Sequence, residues 1–192
     1  QGAGIKPIAG CDFWMNGKDP DDPPTLLTCL AMNEKGYKSI TELISRAFQK
    51  GQRQGVPYVE RDWVVEFGEG VILLSGGKLG DVGMALVGGR NNDAKESLQQ
   101  WMLDFPDRFY LELQRTGREN DENHLHAAVA LATELGCSVV ATNDVRFISA
   151  DDFEIHEARV CIGEGRALDD PRREHRYSDQ QYLRTQDEMG EL

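Results

Sequence analysis

Asp144 and Arg146 stand two residues apart in Ser138-Val139-Val140-Ala141-Thr142-Asn143-Asp144-Val145-Arg146-Phe147-Ile148. The run opens β-branched and breaks into a polar Asn-Asp tip, the pattern of a buried strand ending in a loop. In β/α barrels the C-terminal ends of strands carry the chemistry. A two-residue step on an extended chain turns both side chains the same way. Asn and Asp also turn chains routinely, and on these residues alone a turn outweighs a site. The remaining candidates are sparse. Ser75-Gly76-Gly77 follows an apolar strand, as phosphate-cradling turns do, but lacks a Lys-Ser/Thr partner and the GxGxxG spacing. It reads as a tight turn. His124 and His126 form an HxH pair, yet a two-residue step on a helix turns roughly 200°, so they point apart and read as surface or half-buried histidines. His156, with Glu154 and Glu157 nearby, reads as a packing or surface hydrogen-bonding residue and His175 as a solvated one. Glu112 could face a pocket, although half of a strand's residues face water. No Ser-His-Asp spacing or nucleophile elbow is present.

The elements that must position these residues alternate. Gly4 to Met15 reads as a strand with Ile8, Cys11, Phe13 and Met15 as its apolar positions. The acidic, turn-rich loop Asn16 to Pro24 follows, and Thr25 to Met32 makes a second strand, so the pair predicts a hairpin. Ser39 to Lys50 is a helix opened by a Ser39/Glu42 capping box, with Ile40, Leu43, Ile44, Ala47 and Phe48 on one face and Gly51 as its stop. Val71 to Leu74 and Phe109 to Leu113 read as strands, and Asp81 to Val87 and Asp93 to Asp104 as helices. Glu122 to Leu135 is a helix with Leu125, Ala128, Val129, Ala132 and Leu135 as its core stripe. Ser138 to Asp144 is the next strand, Asp151 to Cys161 a helix, and a polar tail from Gly163 ends helix-like after Ser178. Strand-helix alternation with short connections implies an α/β fold with a mostly parallel sheet. Ile44, Phe48, Leu73, Leu111, Val129, Ala132, Val140 and Ala141 are the expected common core.

The chain has 192 residues, 40% hydrophobic and 28% charged, which fits a single globular domain over 1–192. Its net charge of -12 argues against a face that grips a nucleic-acid backbone. Cys11, Cys29, Cys137 and Cys161 are widely spaced, without CxxC, and read as small buried hydrophobes of a reducing cytosol. No apolar run reaches membrane-spanning length and no signal peptide is evident. The start at Gln1 marks a possible fragment.

Gly4-Ile5-Lys6-Pro7-Ile8-Ala9-Gly10-Cys11-Asp12 and Val140-Ala141-Thr142-Asn143-Asp144-Val145-Arg146 together resemble the PHP (polymerase and histidinol phosphatase) domain at the N-terminus of bacterial replicative DNA polymerase III alpha subunits. Asn33 to Tyr37, Gly70 to Gly76, Phe109 to Arg115 and His156 to Ile162 match further stretches, in family order, so the resemblance covers essentially the whole chain. It implies a distorted seven-stranded, TIM-like β/α barrel. It also implies that the first strands, with their His-x-His ligands, lie upstream of Gln1.

Metal-binding members of that family use a cluster of His, Asp, Glu and Cys for up to three ions. Asp12 stands where Glu is frequent and Asp144 keeps its carboxylate. Leu26 stands at a His position, Gly77 at a Cys position and Arg146 at a His position. A guanidinium cannot ligate a cation and brings its own charge. The resemblance therefore implies a degenerate site in which an ion pair replaces the metal cluster, with no catalytic residue of its own. The pattern resembles the proteobacterial branch, and that resemblance implies a PHP domain that serves as a metal-free scaffold for the proofreading exonuclease subunit. The implied parent is a cytoplasmic DNA-directed DNA polymerase using Mg, joined by other replicase subunits, with no DNA or membrane contact through this segment. The rival is a stand-alone metal-dependent phosphoesterase of the same superfamily. A nucleic-acid-binding module is disfavoured by the charge.

Overall fold

A computed structural model describes residues 2–17 and 22–192. Of the acidic loop expected from Asn16 to Pro24, residues 18–21 lie outside the described residues. β1 (Gly10–Met15) and β2 (Thr25–Ala31) form the expected hairpin, antiparallel with Cys11 opposite Cys29 and Asp12 opposite Thr28. β1 is shorter than its apolar pattern suggested, and Ile8 lies exposed before it.

α1 (Glu34–Lys50) begins five residues ahead of Ser39. Asn33 is its N-cap, accepting a hydrogen bond from the Gly36 amide at 3.1 Å, a role suited to a short polar side chain. Ser39 therefore sits inside the helix, where its hydroxyl donates to the Glu69 carbonyl. The stretch after α1, for which no elements were expected, supplies β3 (Gln52–Arg53), β4 (Val56–Val59) and α2 (Arg61–Glu66). β5 (Val71–Leu74), α3 (Asp81–Val87), α4 (Asn91–Asp104), β6 (Phe109–Gln114) and α5 (Asp121–Leu135) follow the sequence reading within one or two residues at their ends. Then come β7 (Val139–Thr142), α6 (Phe153–Glu164) and a short α7 (Gln186–Gly190).

The fold is mixed α/β. One seven-stranded sheet runs in the order β3-β4-β1-β2-β5-β6-β7. Its two end strands do not pair, so the sheet is open and does not close as a barrel. Nor is it mostly parallel. β1–β4, β5–β6 and β6–β7 are parallel, whereas β1–β2, β2–β5 and β3–β4 are antiparallel. The hairpin places β2 beside β5 and reverses the direction that simple strand-helix alternation implies.

One parity of the sheet enters the core. Phe13, Met15, Leu27, Cys29, Leu73 and Leu111 pack under Leu43 and Ala47 of α1, Val64 of α2, Val82 of α3, Leu98 and Trp101 of α4, and Ala128 and Ala132 of α5. Of the expected core, Leu73, Leu111 and Ala132 are buried. Ile44 and Phe48 are exposed because α1 buries Gly36, Ile40, Leu43 and Ala47, a stripe about 100° around the helix from theirs. Val129 is exposed because α5 turns His124, Ala128, Leu131 and Ala132 inward instead. Val140 is half-buried and Ala141 exposed, since β7 is the last strand of an open sheet with no neighbour on its far side.

Beyond β7 the tail takes over that role. The Arg146 amide donates to the Gln181 carbonyl at 2.8 Å and the Leu183 amide to the Phe147 carbonyl at 3.0 Å. These bonds frame a parallel bridge between Phe147 and Tyr182. The tail thus covers the chain just past β7, at Arg146 and Phe147, and not β7 itself.

Gly36 packs its backbone against the Gly70 carbonyl, where an added Cβ would stand 1.8 Å from the oxygen. Gly36→Ala, which normally favours a helix by about 1 kcal/mol, is expected instead to destabilise by about 2 kcal/mol or more, because the contact is with rigid backbone. Denaturant melts of the two proteins check the sign.

Candidate functional site

The opposite parity of the sheet carries the polar residues. Asp12, Thr28, Leu74 and Tyr110 lie in register across β1, β2, β5 and β6, so they share one face. Glu112 and Gln114, at the same parity of β6, face Val140 and Thr142 of β7. The Thr28 hydroxyl donates to Asp12 Oδ1 at 2.6 Å. Glu112, only 6% exposed, accepts from the Thr142 hydroxyl at 2.5 Å and from Gln114 Nε2 at 3.3 Å. Its strand is pinned by its backbone amide, which donates to Ser75 Oγ at 3.0 Å. Burial raises the Glu112 pKa, and the carboxylates of Asp12 and Asp144 push the same way, against hydrogen bonds from Thr142 and Gln114. Glu112 therefore lies within electrostatic reach of both aspartates.

Asp144 follows β7 with a φ of 43°, a left-handed conformation that Asp tolerates better than most residues. Its carboxylate is surrounded by donors. Arg146 Nη2 pairs with Oδ1 at 2.6 Å. Arg118 Nη1 pairs with Oδ2 at 2.9 Å. Gln181 Nε2 donates to Oδ2 at 2.8 Å and to the Asp144 carbonyl at 3.1 Å, from a side chain that is fully buried. Arg118 is itself held: its Nε donates to Thr116 Oγ1 at 2.8 Å and its Nη2 to Gln114 Oε1 at 3.3 Å. Thr116 in turn donates through amide and hydroxyl to Asp121 Oδ2 at 2.9 and 2.7 Å, and Lys78 meets Asp121 Oδ1 at 2.6 Å. Burial pushes the Asp121 carboxyl up, but the hydrogen bonds from Lys78 and Thr116 outweigh it and hold the pKa below the usual value.

The structure thus joins Asp144 to Arg146, while the partner of Asp12 is Thr28 and Glu112 stands between the two aspartates. Gly77, at φ 56°, faces the same cluster: a Cβ there would meet Gln114 Oε1 at 3.1 Å. Leu26 lies half-buried at the same parity of β2 as Thr28. The HxH pair points apart as expected, with His126 exposed on α5, but His124 is fully buried where a surface or half-buried ring was expected, because α5 turns it inward with Ala128 and Leu131. Burial lowers the His124 pKa, which keeps the ring neutral at physiological pH. His156 packs its ring against Phe147 and Tyr177. Arg118, Thr142 and Gln181 escaped the sequence reading. The period-two alternation of β6 and β7 could have flagged Thr142 as a neighbour of Glu112. Nothing local marks Gln181, which reaches Asp144 across 37 positions.

A metal cluster does not fit these side chains. Among the described residues no three His, Cys, Asp or Glu side chains converge as a ligand set. Both Asp144 oxygens already accept from guanidinium or amide donors, and a cation there would stand beside two positive charges.

The PHP domain model matches residues 1–116, more than half of the chain. The chain belongs to the PHP domain family. Over 191 residues it is 60% identical to the DNA polymerase III subunit alpha of Pseudomonas fluorescens, covering 100% of this chain and 16% of that protein. The subunit of Escherichia coli K12 is 52% identical over 191 residues, again 100% of this chain and 16% of the relative. That of Haemophilus influenzae is 43% identical over 190 residues, 99% of this chain and 16% of the relative. The chain thus spans about one sixth of the length of the curated relatives it matches.

Two outcomes follow. Arg118→Ala should cost about 2–3 kcal/mol, because it strips a largely buried cation from Asp144 and Thr116. Arg146→Ala, at a side chain 41% exposed, should cost about 1 kcal/mol or less. Chemical denaturation ranks them, and the reverse order would relocate the keystone. For Glu112 the sign is opposite to that of a salt-bridged carboxylate. Its raised folded pKa means its contribution is full below the unfolded value and is lost as pH rises through the folded one. Glu112→Gln should therefore flatten the fall of thermal stability on the alkaline side, read from melting temperature against pH.

Proposed function

We propose that this chain is a metal-free scaffold within a replicative polymerase alpha subunit. In this reading its sheet contributes to a distorted, TIM-like β/α barrel, and it docks the proofreading exonuclease subunit among the other replicase subunits. Template-directed DNA synthesis, with its Mg, belongs to parts of the parent outside this chain. The observation that carries the reading is the saturation of Asp144 by Arg118, Arg146 and Gln181. An ion pair there relieves carboxylate repulsion, as a metal would, but offers no Lewis acid and no open coordination position. Identity of 43–60% to polymerase alpha subunits over nearly the whole chain supports the replicase setting. The net charge of -12 supports a role in protein contacts without direct DNA binding. Among the described residues no helix is long and apolar enough to cross a membrane.

The test has three arms. Titration of the purified protein with the exonuclease subunit should give a saturable heat signal, and no saturable binding would remove the docking role. Arg146→His should hydrolyse no p-nitrophenyl phosphate above background with Mn or Zn present, because Leu26 and Gly77 still lack ligand atoms. Turnover by the parent protein, abolished by Asp144→Asn, would establish the phosphoesterase instead. The same protein should leave duplex DNA unshifted at micromolar concentration and physiological salt, a range in which even non-specific binders begin to shift it.

A further inference from the structure

Cys11 and Cys29 face each other across the β1–β2 hairpin. Directly opposed residues of an antiparallel pair share one face, here the face that packs under the helices. The Ala31 amide donates to the Ala9 carbonyl at 2.8 Å, so Ala9 and Ala31 form a hydrogen-bonded pair. Two residues along in the same register, Cys11 and Cys29 form another. Their accessibilities differ: Cys29 is fully buried, whereas Cys11 is half-buried and reaches solvent. Cys137 and Cys161 are free thiols without a register partner of this kind.

We propose that Cys11 and Cys29 form a cross-strand dithiol that closes reversibly to an intramolecular disulfide when hydrogen peroxide reaches Cys11. The Cys11 sulfur, as thiolate, attacks the peroxide. The O–O bond breaks, one oxygen stays as Cys11 sulfenic acid, and hydroxide leaves and is protonated to water. The Cys29 sulfur then gives up its proton and attacks the Cys11 sulfur, the S–O bond breaks and a second water leaves. Two thiols lose two electrons and the peroxide gains them. Backbone geometry permits the bond and limits its strength. Hydrogen-bonded pairs hold Cα atoms about 5.5 Å apart, within the roughly 4.4–6.8 Å that a disulfide spans. Their β-carbons stand about 4.5–5.5 Å apart, wider than the roughly 3.5–4.5 Å a relaxed disulfide prefers. Closure draws the strands together, and such a strained bond is readily reduced. Burial pushes both thiols up, which makes closure slow. Because Cys11 and Cys29 adjoin Asp12 and Thr28, the bond fastens the hairpin at the edge of the polar face.

The purified protein is treated with hydrogen peroxide under native conditions, alkylated and mapped by mass spectrometry. The expected product is a Cys11–Cys29 cross-linked peptide that disappears on brief treatment with mild reductant. Cys29→Ala should leave Cys11 trapped as sulfenic acid or its over-oxidised forms. A map of the parent protein in which Cys11 carries only sulfinic acid overturns the proposal. So does one in which neither cysteine reacts, or in which the cross-link forms only in denaturant.

Discussion

The carboxylate of Asp144 is the point on which this end of the molecule depends. Three separate segments reach it: Arg118 from the loop after β6, Arg146 two residues on, and Gln181 from the tail. None of these contacts is local to a helix or a strand. Together they fix where β7 ends and where the tail returns, and the bridge between Phe147 and Tyr182 follows from that placement. Charge-assisted bonds are roughly twice as strong as neutral ones. Removing one partner of a buried pair costs more than the pair contributes, because the other charge is stranded. The network is therefore most sensitive to the loss of its buried members, Arg118 and Gln181, and least to the loss of the exposed Arg146.

That arrangement sits on a sheet with a divided character. One face is apolar and covered by α1 to α5, and its packing accounts for the stability of the domain. The other face gathers Asp12, Thr28, Glu112 and Thr142, each satisfied by a neighbour. Glu112 is the costly member, since its carboxylate is buried with only the neutral donors Thr142 and Gln114 to hold it. Its raised pKa is the visible sign of that cost.

The sequence carried most of the helices and the central strands, because their periodicities are set by what each element buries. β5 and α3 are cases in which pattern and structure coincide. It misjudged faces where two apolar stripes compete. Ile44 and Phe48 are as apolar as Leu43, but the close approach of Gly36 to Gly70 selects the stripe that turns inward. It misjudged β7 because a β-branched run reads the same at the edge of a sheet as at its centre. At the site, the pairing of Asp144 with Arg146 was an implication of the family resemblance; their two-residue spacing alone read as a turn, and the left-handed Asp144 lies past the extended strand on which that spacing argument rests. Arg118 and Gln181 were not legible, since only the return of the tail brings them near. Closure of the sheet was not legible at all, because strand order is a property of long-range pairing.

The central claim is that an arginine-carboxylate network takes the place of a metal cluster. Elemental analysis of the purified protein after exposure to excess zinc and manganese, followed by gel filtration, tests it most directly. The account predicts far less than one ion per chain and a melting temperature that chelator leaves unchanged. Stoichiometric metal that survives filtration, with a chelator-induced loss of stability that Asp144→Asn reproduces, would contradict it.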